Sequence, residues 1–168
     1  MGARLLSAEK INQRSDKEEK STPLMVAIRN QKDLRCIQVW LDYFPDYKAK
    51  DERGRNVLHL VIEGKNHIEL VPIFLKACPE LVNIPSCIPP FQVGQHPIHL
   101  AAAVNSIGIM TTLGKAGADI HARDADVNMA LHLAARMGNL ESIVFLLNNG
   151  ANLLNRIGLP LLLLIFPS

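Results

Sequence analysis

Apolar residues in this chain recur in short bursts at helical spacing, each closed by glycine, proline or a charged turn. The last complete burst is the clearest. Ala130 to Arg136 (Ala-Leu-His-Leu-Ala-Ala-Arg) is built from strong helix formers. Gly138 can end that helix, Asn139 can cap the next one, and Glu141 suits the positive end of its dipole. Leu140, Ile143, Val144 and Leu147 then share one helical stripe, which predicts a buried face, and Gly150 stops the helix. The same alternation predicts helices over His99 to Ala103 and Ile107 to Lys115, where Gly108 and Gly114 each cost on the order of 1 kcal/mol against alanine. Leu58 to Leu81 predicts another pair. Its Pro72 is tolerated in a first helical turn but kinks the helix further in. A first pair carries Ile37, Trp40 and Leu41 on its outer helix. Helices of roughly two turns do not stand alone in water, so each pair needs neighbours.

The bursts share a phrase. Thr22-Pro23-Leu24-Met25-Val26-Ala27, Asn56-Val57-Leu58-His59-Leu60-Val61, His96-Pro97-Ile98-His99-Leu100-Ala101 and Met129-Ala130-Leu131-His132-Leu133-Ala134 are versions of it, and Leu24, Leu58, Ile98 and Leu131 are separated by 34, 40 and 33 positions. A period near 33 with this phrase resembles the ankyrin repeat. The resemblance implies an all-α repeat solenoid, with ankyrin-type helix–turn–helix units and projecting β-hairpin fingers. It divides the chain into a polar leader over 1–20, disordered or loosely helical, an array over 21–156 and an apolar tail over 157–168 that reads as a degenerate or truncated fifth repeat. The units fall near 22–51, 52–86, 94–124 and 125–156. Asp51 and Asp124 match the family's finger aspartate, and Gly54 and Gly94 its glycine. Val127 stands where the fourth finger wants glycine, so an altered turn is expected there, because a positive φ is unfavourable for a β-branched residue.

The 40-residue spacing locates an insertion at 84–95, which holds Pro85, Pro89 and Pro90. These prolines are expected to forbid regular strand pairing. Ile88 and Phe91 are its candidate apolar contacts for a partner.

Composition narrows the chemistry. A net charge of +2 from 18 basic and 16 acidic residues offers no concentrated basic face, and 5% aromatic residues supply few stacking platforms, so nucleic acid is not expected as a partner. The longest apolar run, Leu161 to Phe166, is far short of the ~20 residues of a membrane span. Cys36, Cys78 and Cys87 are odd in number and widely spaced, which fits a reducing compartment, cytoplasmic or nuclear. Cys36 and Cys78 fall in helical stretches and are expected to be buried as small apolar residues. His59, His99 and His132 recur one repeat apart, too far to share a metal with ~2 Å bonds. The resemblance instead implies that they tie fingers to helices. No nucleophile elbow, phosphate loop or dinucleotide fingerprint is present, so no enzyme activity, cofactor or metal is expected.

Binding is the expected role. The resemblance implies that another protein meets the finger tips, here Glu52, Arg53, Arg55, Ala125, Asp126 and Asn128, and the exposed face of the first helices, here Arg29, Asn30, Glu63, Lys65, Val104, Asn105, Arg136 and Met137. A second expectation is that the chain is a fragment or short isoform of a larger kinase, channel or patatin-like phospholipase, whose absent catalytic part the repeats regulate or multimerise. Self-association through the apolar tail is a third.

Overall fold

The computed structural model describes residues 13, 21–30, 33–43, 45–64, 67–88 and 91–152, apart from the side chains of 87, 88 and 91–93. Lys65, the 157–168 tail and the 1–20 leader, except for an exposed Gln13, lie outside the described residues. Among the described residues, eight α-helices follow one another in pairs: α1 (Pro23–Arg29) with α2 (Leu34–Leu41), α3 (Val57–Gly64) with α4 (Leu70–Ala77), α5 (Pro97–Ala103) with α6 (Ile107–Lys115), and α7 (Ala130–Met137) with α8 (Leu140–Asn148). A short 3-10 turn, Pro79–Asn83, follows α4. First helices stack in the order α1, α3, α5, α7, and second helices α4, α6, α8 stack behind them. This is the helical repeat solenoid that the period implied.

Helix starts follow from local chemistry. Thr22 Oγ1 accepts the Met25 N–H ahead of Pro23, and Asn56 Oδ1 accepts the Leu58 and His59 N–H groups. Pro72 is the third residue of α4, in the first turn, where its missing N–H costs nothing. Gly138 ends α7 at φ 70° in the left-handed conformation, and Gly150 follows α8 at φ 91°. Buried between the layers are Leu24, Met25, Ile37, Leu58, Ile62, Leu70, Phe74, Met110, Leu113 and Leu146.

Several expectations are corrected. Leu140, Val144 and Leu147 do not form a buried stripe: they are 67%, 48% and 37% exposed, while Ser142 and Leu146 carry the buried face of α8. The periodicity was real, but that face points away from the preceding unit. Asn139 does not cap α8; its amide donates to the Ala102 and Ala103 carbonyls at 2.8 Å and ties the fourth unit to the third. Cys36 is exposed, because Ile37, one residue and about 100° further round the helix, takes the inward position. Cys78 is half-buried.

The insertion does pair. β1 (Ser86–Ile88) runs antiparallel to β2 (Phe91–Gln95), with Ser86 opposite Gln95, Ile88 opposite Phe91 and an irregularity between. Pro85 precedes β1, and Pro89 and Pro90 fall between the strands, so no proline is asked to donate to the ladder.

The fourth finger keeps its turn. Val127 adopts φ 64°, against 73° at Gly54, and the two loops share their hydrogen bonds: Gly54 N–H to Asp51 C=O and Val127 N–H to Asp124 C=O, both 3.0 Å. Asp124 N–H to Asn128 C=O closes that loop at 2.8 Å, and these bonds hold a conformation that costs a residue with a Cβ about 1–2 kcal/mol.

Candidate partner-binding site

The buried carboxylate of Asp51 organises the finger between the first and second units. Its Oδ1 accepts the backbone N–H groups of Arg53 and Arg55, each at 2.9 Å. Its Oδ2 accepts from Arg29 Nη2 at 3.0 Å and from Arg55 Nε and Nη2 at 2.9 and 2.8 Å. Arg55 reaches on through Nη1 to Glu63 Oε2 at 2.8 Å. Burial opposes the charge of Arg55, but hydrogen bonds to Asp51 and Glu63 outweigh it and raise its pKa. One chain of charge thus joins the end of α1, the finger and the end of α3.

These groups rim a groove of about 350 Å³ lined by Ile28, Arg29, Arg53, Arg55, Leu60, Glu63 and Gly64. Ile28 and Leu60 are buried and form an apolar floor. Arg29, Arg53, Arg55 and Glu63, taken from sequence as contact residues, are therefore brought together. The floor residues escaped sequence reasoning because Ile28 and Leu60 read simply as core. The signal that could have found the groove was Gly64, a missing side chain at the end of α3.

The remaining candidates lie elsewhere. Asn30 is exposed just beyond α1, and Glu52 is exposed on the same finger as Arg53. Ala125 and Asp126 are exposed on the fourth finger and Asn128 is half-buried. Asp124 Oδ1 accepts the Asp126 and Asn128 N–H groups at 3.0 and 2.8 Å, and its Oδ2 accepts from Asn128 Nδ2 at 3.3 Å, repeating the Asp51 loop. Arg136 and Met137 are exposed at the end of α7, and Val104 is half-buried after α5. Asn105, at φ 55°, accepts both the N–H and the Oγ–H of Ser142 through Oδ1 and donates to Glu141 Oε2, so its amide is an inter-unit tie. Ile88 and Phe91 sit opposite one another in the inserted hairpin. Their side chains, like that of Cys87, lie outside the described residues.

The repeated histidines link successive units. Nε2 of His59 donates to the Gln95 carbonyl at 3.2 Å, and Nε2 of His99 to the Asn128 carbonyl at 3.0 Å, while Nδ1 of each accepts the N–H three residues upstream. Burial lowers the His59 pKa to about 4 against the pull of the Gln95 carbonyl, and burial also lowers those of His99 and His132. Among the described residues no group of three or more His, Cys, Asp or Glu side chains is arranged to hold a metal. No helix there is long and apolar enough to cross a membrane.

Comparison with known proteins agrees with this geometry. A family model for ankyrin repeats in three copies matches residues 24–124, and one for a single ankyrin repeat matches 128–157. The chain is similar to the phosphocholine transferase AnkX of Legionella pneumophila, 28% identical over 141 residues, which is 83% of this chain and 14% of that protein. It is also similar to the nuclear factor NF-kappa-B p105 subunit of Gallus gallus, 33% identical over 106 residues, 60% of this chain and 10% of that protein. The chain thus spans a small part of the length of each of these relatives.

Proposed function

Because this chain belongs to the ankyrin repeat family, we propose that it is a non-catalytic module that binds another protein across its finger tips and the exposed ends of its first helices, centred on the groove between the first and second units. The observation that carries the reading is the convergence of Arg29, Arg53, Arg55 and Glu63 over the apolar floor of Ile28 and Leu60. A mixed-sign rim over an apolar floor selects a partner by charge register and gains affinity from the floor. The partner is held in the cytoplasm or nucleus, where a thiol as exposed as Cys36 stays reduced. Proximity labelling with the intact chain identifies it. Arg53→Glu then tests the site with little disturbance of the scaffold, since Arg53 is exposed whereas Arg55 also anchors the buried Asp51. The expected result is a loss of affinity of roughly tenfold, about 1.4 kcal/mol. An unchanged affinity for every labelled partner refutes the assignment.

A second reading is that the repeats regulate or multimerise a catalytic or channel part of a longer protein. It is favoured by the curated relatives, of which this chain matches 14% and 10% of the length. Reading the genomic sequence past the codon for Arg156 tests it: a continuing repeat frame supports this reading, and an immediate stop in every transcript removes it.

A further inference from the structure

Gly64 closes α3 and lines the groove between the first and second units. Nothing in the scaffold requires glycine there. Its φ lies outside the left-handed region, and a Cβ on it would meet nothing within 4 Å. Alanine is the better helix former at such a position. What the missing side chain supplies is open space beside Ile28 and Leu60. A groove of about 350 Å³ stands at the lower end of ligand pockets, roughly 300–1,000 Å³, and so takes one or two side chains of a partner.

The charge around that space is one-sided. Arg29, Arg53 and Arg55 line the groove against one carboxylate, Glu63, with Asp51 buried beneath them. Three positive charges thus stand against two negative. Asp51 has nothing to offer an incoming cation: its side chain is fully buried, and five nitrogens lie within 3.0 Å of its two oxygens. Glu63 Oε2 is already held by Arg55 Nη1 at 2.8 Å. The guanidinium groups also show here how they take carboxylates. Arg55 grips Asp51 Oδ2 with Nε and Nη2 and reaches a second carboxylate with Nη1.

We propose that the groove receives an acidic peptide segment: an aspartate or glutamate side chain on the arginine rim, with a neighbouring aliphatic side chain over Ile28 and Leu60 in the space beside Gly64. This rests on the reading of the groove as the partner site and adds the chemistry of its occupant. The two halves of the site select together. A basic segment meets three guanidinium groups and repels them. A free phosphate satisfies the rim but gains nothing from the apolar floor. Only a carboxylate carried beside an aliphatic group uses both. Because Arg29 and Glu63 keep 29% and 36% of their side chains exposed, the attraction is screened and the affinity falls as salt is raised.

The test titrates four blocked tripeptides into the nitrogen-15-labelled intact chain at low salt, read by amide shifts: acetyl-Leu-Glu-Glu-amide and its Leu-Gln-Gln, Leu-Lys-Lys and Ala-Glu-Glu counterparts. The expected result is millimolar binding of the Leu-Glu-Glu peptide, with shifts at Ile28, Arg53 and Gly64. The Leu-Gln-Gln and Ala-Glu-Glu peptides are expected to bind roughly fivefold more weakly, and the Leu-Lys-Lys peptide to leave the groove unshifted. Gly64→Leu fills the space, so it weakens the Leu-Glu-Glu peptide roughly fivefold while its melting midpoint does not fall. Equal binding of the Gln or Lys peptide overturns the acidic assignment, and equal binding by Gly64→Leu or of the Ala peptide overturns the aliphatic seat. Shifts absent from the groove at about 10 mM Leu-Glu-Glu peptide overturn the proposal outright. Binding of the labelled partner by Arg53→Glu is a separate readout of whether the groove holds a partner at all, so any of these failures leaves that assignment standing.

Discussion

Replacing Asp51 by alanine removes one fully buried carboxylate from two jobs at once. It closes the finger by accepting the Arg53 and Arg55 N–H groups, and it holds the guanidinium groups of Arg29 and Arg55. Asp124 in the fourth finger does the first job alone: it accepts two backbone N–H groups and the Asn128 amide, and no arginine reaches it among the described residues. The pair of substitutions therefore separates the loop from the ion pairs. Losing the loop bonds costs about 2 kcal/mol, the range for hydrogen bonds to a charged group left partly to water. Stranding a wholly buried charge costs about 3–5 kcal/mol. Arg29 and Arg55 keep 29% and 14% of their side chains exposed, so they recover part of that by hydration. The extra loss at Asp51 is then about 1–2 kcal/mol, a difference in melting midpoint of roughly 2–8 °C for a chain of this size. Thermal unfolding followed by far-ultraviolet circular dichroism at neutral pH reads it directly. Equal midpoints for Asp51→Ala and Asp124→Ala would refute the claim that the arginine network braces the groove.

Other positions give sharper signs than magnitudes. Gly94→Ala places a Cβ 3.0 Å from the Ala125 backbone nitrogen at φ +55°, so it destabilises the array by about 1–3 kcal/mol in urea unfolding. Gly108→Ala and Gly114→Ala meet nothing within 4 Å in α6, and each raises the urea midpoint by the equivalent of about 0.5–1 kcal/mol. His59 titrates near 4 in the folded chain and near 6.5 when unfolded, so between those values the unfolded state binds the extra proton. Stability is complete above pH ~6.5 and falls by a few kcal/mol as pH drops towards 4. His59→Gln, compared across that window, flattens the dependence; an unchanged slope contradicts the buried-imidazole account.

The order of elements was legible in the sequence because helix formers, glycine stops and the repeated phrase all agreed, as in Ala130 to Gly138. What could not be read was which neighbour covers an apolar face. Leu140, Val144 and Leu147 carry a correct helical period, but burial depends on a unit beyond them. Ser142 is buried because the Asn105 amide satisfies it, a tie made across 37 positions of sequence. The hairpin at Ser86 to Gln95 escaped for a related reason: prolines forbid donation only at the positions they occupy, and all three fall outside the paired strands. Val127 shows a local preference overruled by a loop with its own hydrogen bonds. The candidate contacts were legible as exposed positions. Their grouping around Ile28, Leu60 and Gly64 needed three dimensions.

The central claim is that the groove between the first and second units holds a partner. The most direct test is calorimetric titration of the labelled partner against the intact chain, Arg53→Glu and Asp126→Lys, after circular dichroism confirms equal folding of all three. The account predicts that Arg53→Glu loses roughly tenfold in affinity and Asp126→Lys, on a finger two units away, loses less. Binding unaffected by Arg53→Glu but abolished by Asp126→Lys would contradict it.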